Sequence, residues 1–123
     1  MARGVPALLP EVTFITPEVL KTRLDAGEYL CLIDERDCGA FATAHIPGAQ
    51  WCSHSLLERQ ITQEAPTKYV PLVLYCSRGD AAILSVPTLQ HLGYAHVVVI
   101  QGGFIAWCAA GFPTAAGVAD SLP

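Results

Sequence analysis

The sequence is short of charge. Asp, Glu, Lys and Arg make up 15% of its 123 residues while apolar residues make up 52%, a balance that excludes a disordered chain and favours a compact, well-buried α/β or all-β protein. It also lacks long hydrophobic runs. Stretches such as "HVVVIQGGFIAW" are too short or too broken to cross a bilayer, so neither a transmembrane helix nor a membrane partner is expected. Basic clusters are missing as well: the 7 Lys and Arg are scattered and the net charge is -4, which leaves no electrostatic footprint for a nucleic-acid partner. No internal repeat or low-complexity stretch is present.

Cysteine is present without a pattern. Cys31, Cys38, Cys52, Cys76 and Cys108 form an odd set with no CxxC pair, which fits neither a disulfide framework nor a zinc site of the usual spacing. Reduced thiols are expected, with no metal and no cofactor. The amino-terminal "MARGVPALLPEVTF" has a brief apolar patch interrupted by Pro6 and Pro10. It lacks the continuous core of a secretory signal, so the expected address is cytoplasmic. A chain of this length is about one domain and buries roughly two thirds of its unfolded surface, enough for a core without metal or disulfide support.

What is present is alternation of buried strands and helices. Thr16, Pro17 and Glu18 read as N-cap, first helical residue and early acid, with Val19, Leu20 and Leu24 as an apolar stripe up to Ala26 and Gly27. "YLCLID" is a continuous apolar run ending in an acid, as expected of a strand covered on both faces. "RDCGAFATAH" suits a short helix, "IPGAQW" a turn and short strand, "LLERQ" a helix and "EAPTKYVP" a loop. "LVLY" is a second buried strand. "DAAILSVPTLQHL" is helical by spacing with a stop at Gly93, and Pro87 predicts that it is kinked or shortened. "AHVVVI" is a third buried strand, "QGG" a turn, and "FIAWCAAG" a closing helix ending at Gly111. The pattern predicts a single α/β domain, a central parallel sheet with helices on both faces. Functional groups of such sheets gather beyond the carboxyl ends of the strands. Asp34, Cys76 and the Gln101, Gly102, Gly103 turn fall there.

"VPLVLYCSRGDAAILSV" runs a buried strand into Cys76, a glycine-containing turn and a helix start. Peptide N–H groups at such a junction can turn toward the sulfur at the positive end of the helix, an environment that favours thiolate over thiol and yields a nucleophile without a histidine base. Gly79 permits positive φ and close approach of a substrate to the backbone. Arg78 adds a cation and Asp80 opposes it. Cysteine is also among the most buried residue types, so the local pattern leaves a packed, structural Cys76 open beside a reactive one. Cys31, inside a strand, and Cys108, beside Trp107, read as core. Cys38 and Cys52 lie in or near loops, where exposure is open to them. The "RGD" tripeptide inside this loop reads as accidental.

These residues resemble the rhodanese-like domain family over nearly the whole chain. "LIDERDCGAFATAHIPGAQW" is similar to its first signature, "VLYCSRGDAAILSVPTLQHLGY" to its cysteine loop, helix and Gly-Tyr exit, and "VVVIQGGFIAWCAAGFP" to its closing Gly-Gly, Ala-Trp and Ala-Gly-x-Pro. The resemblance implies a rhodanese-like domain over residues 13–114, between an extension at 1–12 and a tail at 115–123. It implies a sulfurtransferase in which Cys76 is the catalytic residue and carries a persulfide. The sulfur would come from a donor such as thiosulfate or another persulfide, and pass to a thiol or cyanide acceptor. A protein donor or acceptor is a further partner open to it. The loop residues Ser77, Arg78, Gly79, Asp80, Ala81 and Ala82 would bind the substrate, their N–H groups cradling the sulfur anion.

Asp34 and Arg36 would pair to brace the loops, and His45 would make a structural hydrogen bond in a turn. His54, His91 and His96 read as solvent-facing or packed, and Trp51 and Trp107 as core or rim. Many sulfur-transferring members carry Arg or Lys where this chain has Ser77 and Ala81. That difference favours a weakly charged persulfide or protein donor over thiosulfate. It also keeps a second class of function in view, a sulfur-carrier or partner-binding module that turns over slowly or not at all. A phosphatase of this fold would need a longer loop and an arginine to clamp phosphoryl oxygens, and Ala81 and Ala82 offer none.

Overall fold

A computed structural model describes residues 12–65 and 67–117. The expected amino-terminal extension, apart from Val12, and the tail from residue 118 onward lie outside the described residues. The strands are β1 (Thr13–Ile15), β2 (Cys31–Asp34), β3 (Gln50–Trp51), β4 (Leu72–Tyr75) and β5 (Val97–Ile100). The helices are α1 (Pro17–Asp25), α2 (Cys38–Thr43), α3 (Leu57–Glu64), α4 (Asp80–His91) and α5 (Gly103–Ala109), and a 3-10 turn, His54–Leu56, leads into α3.

The strands form one sheet in the order β1-β5-β4-β2-β3, and every pair in it is parallel. The apolar runs of β4 and β5 fit this sheet because side chains pointing to either face meet a helical layer. On one face Ile33, Leu72, Leu74 and Val99 pack with Leu57 and Ile61 of α3 and Ala82, Val86 and Leu89 of α4. On the other, Leu32, Val73, Tyr75 and Ile100 pack with Leu20, Phe41 and Trp107 of α1, α2 and α5. The predicted sheet with helices on both faces is therefore present.

Local chemistry explains the boundaries. Thr16 caps α1, its hydroxyl oxygen accepting the Val19 N–H at 3.2 Å, with Pro17 at the first position. Leu20 is buried but Val19, read as part of the apolar stripe, is exposed. The strand β1 had no signal of its own in the sequence: three residues with two exposed side chains are too short to show alternation. Pro87 does not shorten α4, which runs unbroken from Asp80 to His91. Its side chain is exposed, so the Ile83 carbonyl that lacks its usual partner can be hydrated. The thiol expectations also change. Cys108 is exposed and Cys52 is buried, while Cys38 is exposed. Cys108 follows Trp107 onto the outer face of α5, and Cys52 follows β3 into the sheet interior.

Beyond α5, Ala115 forms an antiparallel bridge with His45, two N–H···O bonds of 2.8 Å, and the Gly117 N–H donates to Ala42 O. No helix among the described residues is long and apolar enough to cross a membrane.

Candidate active site

β4 ends at Tyr75 and α4 starts at Asp80, so residues 76–79 turn the chain from a central strand into a helix. Gly79 makes the turn possible: its φ of 110° lies in the left-handed region that side chains disfavour. In that conformation the Gly79 N–H points back at Cys76 and donates to Sγ at 3.0 Å. Cys76 is only 6% exposed, at the floor of the loop. Among the other predicted site residues, Ser77, Arg78 and Asp80 are exposed, Ala81 is half-buried, and Gly79 and Ala82 are buried. The loop thus presents one cation and one anion to solvent above the sulfur.

The loop is held from behind by the Gly102, Gly103 turn. Phe104 N–H donates to Cys76 O at 2.9 Å and Ile105 N–H to Ser77 O at 3.0 Å, so the first-turn donors of α5 are spent on loop carbonyls. Contact is so close that a Cβ on Gly103 would lie 2.6 Å from Cys76 O and 2.7 Å from Ser77 O. These bonds hold the Cys76 and Ser77 carbonyls against α5, away from the sulfur they would repel.

Asp34 and Arg36 form the brace expected of them. Arg36 Nη2 donates to Asp34 Oδ2 at 2.7 Å and its Nε lies 3.1 Å from Oδ1, while Nη2 also reaches Ala44 O at 2.5 Å. The guanidinium lies over Phe104, 4.1 Å from the ring centroid, which links the β2 end to the α5 start. Burial, with the Asp34 carboxylate beside it, pushes the Tyr75 phenol far above its usual range. Tyr75 therefore stays neutral and its oxygen accepts the Ile46 N–H at 3.1 Å. His45 stacks on Phe41 at 3.8 Å and its Nδ1 bonds Phe41 O at 2.7 Å, a structural role. Trp51 donates its indole N–H to Arg36 O and Trp107 to Pro113 O.

His54 is solvent-facing, as read, but it also carries hydrogen bonds that its place in the sequence did not signal. Its Nδ1 lies 3.0 Å from both Glu35 Oε1 and Ser85 Oγ, and Ser85 Oγ donates to Glu35 Oε1 at 2.7 Å. Glu35 and Ser85 are not among the predicted site residues. A signal existed in retrospect: Glu35 takes the next position after Ile33 on the α4-facing side of β2, and Ser85 interrupts the buried stripe of Ala82, Val86 and Leu89. Burial holds the Glu35 carboxyl above the usual carboxylate range, against the hydrogen bonds from Ser85 and His54 that lower it.

A cleft of about 490 Å³ lies between Tyr29 and Tyr69 at the amino ends of β4 and β5. It contains none of the cysteine-loop residues and lies at the opposite end of the strands. Among the described residues no cluster of His, Cys, Asp and Glu is arranged to hold a metal ion.

A parallel sheet offering a cysteine between a central strand and a glycine-started helix defines a cysteine-loop α/β domain. The family model described as rhodanese-like domain matches residues 16–110, and the chain belongs to that family. It is 36% identical over 78 residues to the thiosulfate sulfurtransferase GlpE of Tolumonas auensis, covering 63% of this chain and 72% of that protein. It is 34% identical over 93 residues to the probable adenylyltransferase/sulfurtransferase MoeZ of Mycobacterium tuberculosis, covering 76% of this chain. The chain spans only 24% of the length of that relative. The crystal structure of a thiosulfate sulfurtransferase from Pseudomonas aeruginosa matches with a TM-score of 0.77 at 32% identity, over 88% of this chain and 20% of that one.

Proposed function

We propose that the protein is a sulfurtransferase in which Cys76 receives a sulfane sulfur and passes it on. The observation that carries this reading is the Gly79 N–H aimed at Sγ from 3.0 Å at the head of α4. A peptide dipole fixed there stabilises a sulfur anion without reorganising during reaction. The names of the relatives support the same chemistry.

With thiosulfate, the Cys76 thiolate attacks the outer sulfur, a new S–S bond forms, and the old one breaks with its electron pair leaving on sulfite. Cys76 then carries a persulfide anion. Cyanide attacks the outer sulfur, the S–S pair returns to Cys76, and thiocyanate departs; a thiolate acceptor leaves as its own persulfide. Charge balances in each half, as in any ping-pong transfer through a covalent intermediate. Ser77, Arg78, Gly79, Asp80, Ala81 and Ala82 line the approach. Because exposed Asp80 opposes exposed Arg78, a dianionic donor gains little from the loop, and a persulfide on a small thiol or a protein is the better donor.

The test is a donor screen read by intact mass and peptide mapping. One added sulfur atom at Cys76, absent in Cys76→Ser, is expected. No adduct with any sulfane donor, or an adduct that survives Cys76→Ser, overturns the reading. An adduct that forms and is discharged by neither thiols nor cyanide identifies a sulfur carrier instead of an enzyme.

A further inference from the structure

Glu35 touches both ends of the cysteine loop. Its backbone N–H donates to Tyr75 O at 2.9 Å, one residue before Cys76. Its side chain accepts from Ser85 Oγ at 2.7 Å, in the second turn of the helix that follows the loop. The register that pairs Asp34 with Tyr75 sets Glu35 beside Cys76 on the next step of adjacent strands. Alternation turns both toward α4. One residue therefore fixes the separation between the end of β4 and the start of α4, which is the frame from which the Gly79 N–H reaches the sulfur.

The same residue is a buried acid with an outlet. The Glu35 side chain has no exposed surface, whereas that of His54 is 44% exposed, and the two are joined through Nδ1 and Oε1. The His54 N–H of the backbone also donates to Glu35 O at 3.1 Å. Glu35 Oε2 is buried with no hydrogen-bond partner among the described residues. A carboxylate in that position needs a cation, because half of its acceptor capacity is unused. The groups facing it are few. His54 from the 3-10 turn and Ser85 from α4 reach it with hydrogen bonds, and the Asp34 carboxylate acts on it through space. Asp34 and Tyr75 point to the other face, where Arg36 neutralises Asp34.

We infer that Glu35 is a positioning residue for Cys76, acting through Ser85 on α4, and that half-exposed His54 is the hydrogen-bond partner that joins the buried acid to solvent. Hydrogen bonds to an ionised carboxylate are roughly twice as strong as those to a neutral one. While Glu35 is ionised, α4 is held through the stronger Ser85 bond and the Gly79 N–H stays on the sulfur. When Glu35 takes up a proton, the hold weakens. Burial moves that event above the ordinary carboxylate range.

This inference rests on the sulfur-transfer reading for its effect on turnover, but its test does not need a sulfur donor. Iodoacetamide alkylation of the full chain is followed by peptide mapping between about pH 5 and 8. Exposed Cys38 and Cys108 serve as internal references. At neutral pH, Glu35→Gln and His54→Gln are each expected to slow alkylation of Cys76 about tenfold, the scale of one charge-assisted hydrogen bond. The wild-type to Glu35→Gln ratio should fall toward one at the acid end, with Cys38 and Cys108 unchanged throughout. A ratio at Cys76 that is flat with pH, or equal to one everywhere, overturns the inference and leaves Glu35 a structural residue. If Glu35→Gln fails to fold, His54→Gln, altered at a half-exposed side chain, carries the same test. A wild-type protein that takes no sulfur yet shows the expected ratio would sink the sulfur-transfer reading alone.

Discussion

Replacing Gly103 with alanine tests how the closing turn shapes the cysteine loop. Two costs are expected. Gly103 has a φ of 66°, and an alanine forced into the left-handed region loses roughly 1–2 kcal/mol. The new Cβ would also sit 2.6 Å from Cys76 O and 2.7 Å from Ser77 O, both backbone atoms. Backbone cannot rotate aside as a side chain can, so the loop must retreat by about 1 Å to reach van der Waals contact. Overpacking of this kind costs about 1–3 kcal/mol. The sum, about 2–5 kcal/mol, is a large part of the roughly 5–15 kcal/mol that holds a domain together. It corresponds to a fall in Tm of roughly 10–20 °C.

The functional loss should be larger than the stability loss implies, because the atoms displaced belong to the nucleophile and its neighbour. A misplacement of about 1 Å can cost a hundredfold in rate, and Cys76 alkylation measured well below the melting transition should fall by up to about that factor. Gly111→Ala is the control. Gly111 has a φ of 80° but nothing within 4 Å of its built Cβ, so it carries only the backbone cost and should leave Cys76 reactivity unchanged. Gly103→Ala with wild-type Tm and wild-type alkylation, or indistinguishable from Gly111→Ala, would refute the reasoning.

Asp34→Asn should destabilise the fold by about 3–5 kcal/mol, since it strands the largely buried Arg36 charge. Denaturant titration should show that Asp34→Asn/Arg36→Met recovers part of this loss. Glu35 should make stability depend on pH. Its folded pKa is raised above the ordinary 4.5, so the folded state binds the proton more tightly than the unfolded one. The contribution is full below about 4.5 and is lost as pH rises through the folded value. Chemical denaturation across that window should show stability falling with pH, and the slope should shrink in Glu35→Gln.

Much of the fold was legible because the sheet is doubly covered. "LVLY" and "VVVI" had to be buried on both faces, and no antiparallel arrangement with one wet face fits such runs. Thr16 and Pro17 marked the start of α1, and Gly111 the end of α5, through local chemistry that needs no tertiary partner. Cys76 stood out for the same local reason, at a strand end followed by a glycine and a helix. Pro87 did not mark an end of α4, because the effect of a proline on a helix depends on which side of it the ring occupies. Cys52 and Cys108 misled because a residue near a loop or beside a tryptophan carries no record of the direction in which it points.

The amino-acid sequence by itself determined the alternation of strands and helices, the cysteine at the end of a central strand and the glycine that turns the chain after it. These follow from periodicity and backbone preference over a few neighbouring residues. Only the tertiary structure decided that Gly103 closes on the loop carbonyls and that Glu35, His54 and Ser85 converge. Those contacts join residues 19 to 50 positions apart. Strand order and register, which no local stretch encodes, brought them within hydrogen-bonding distance.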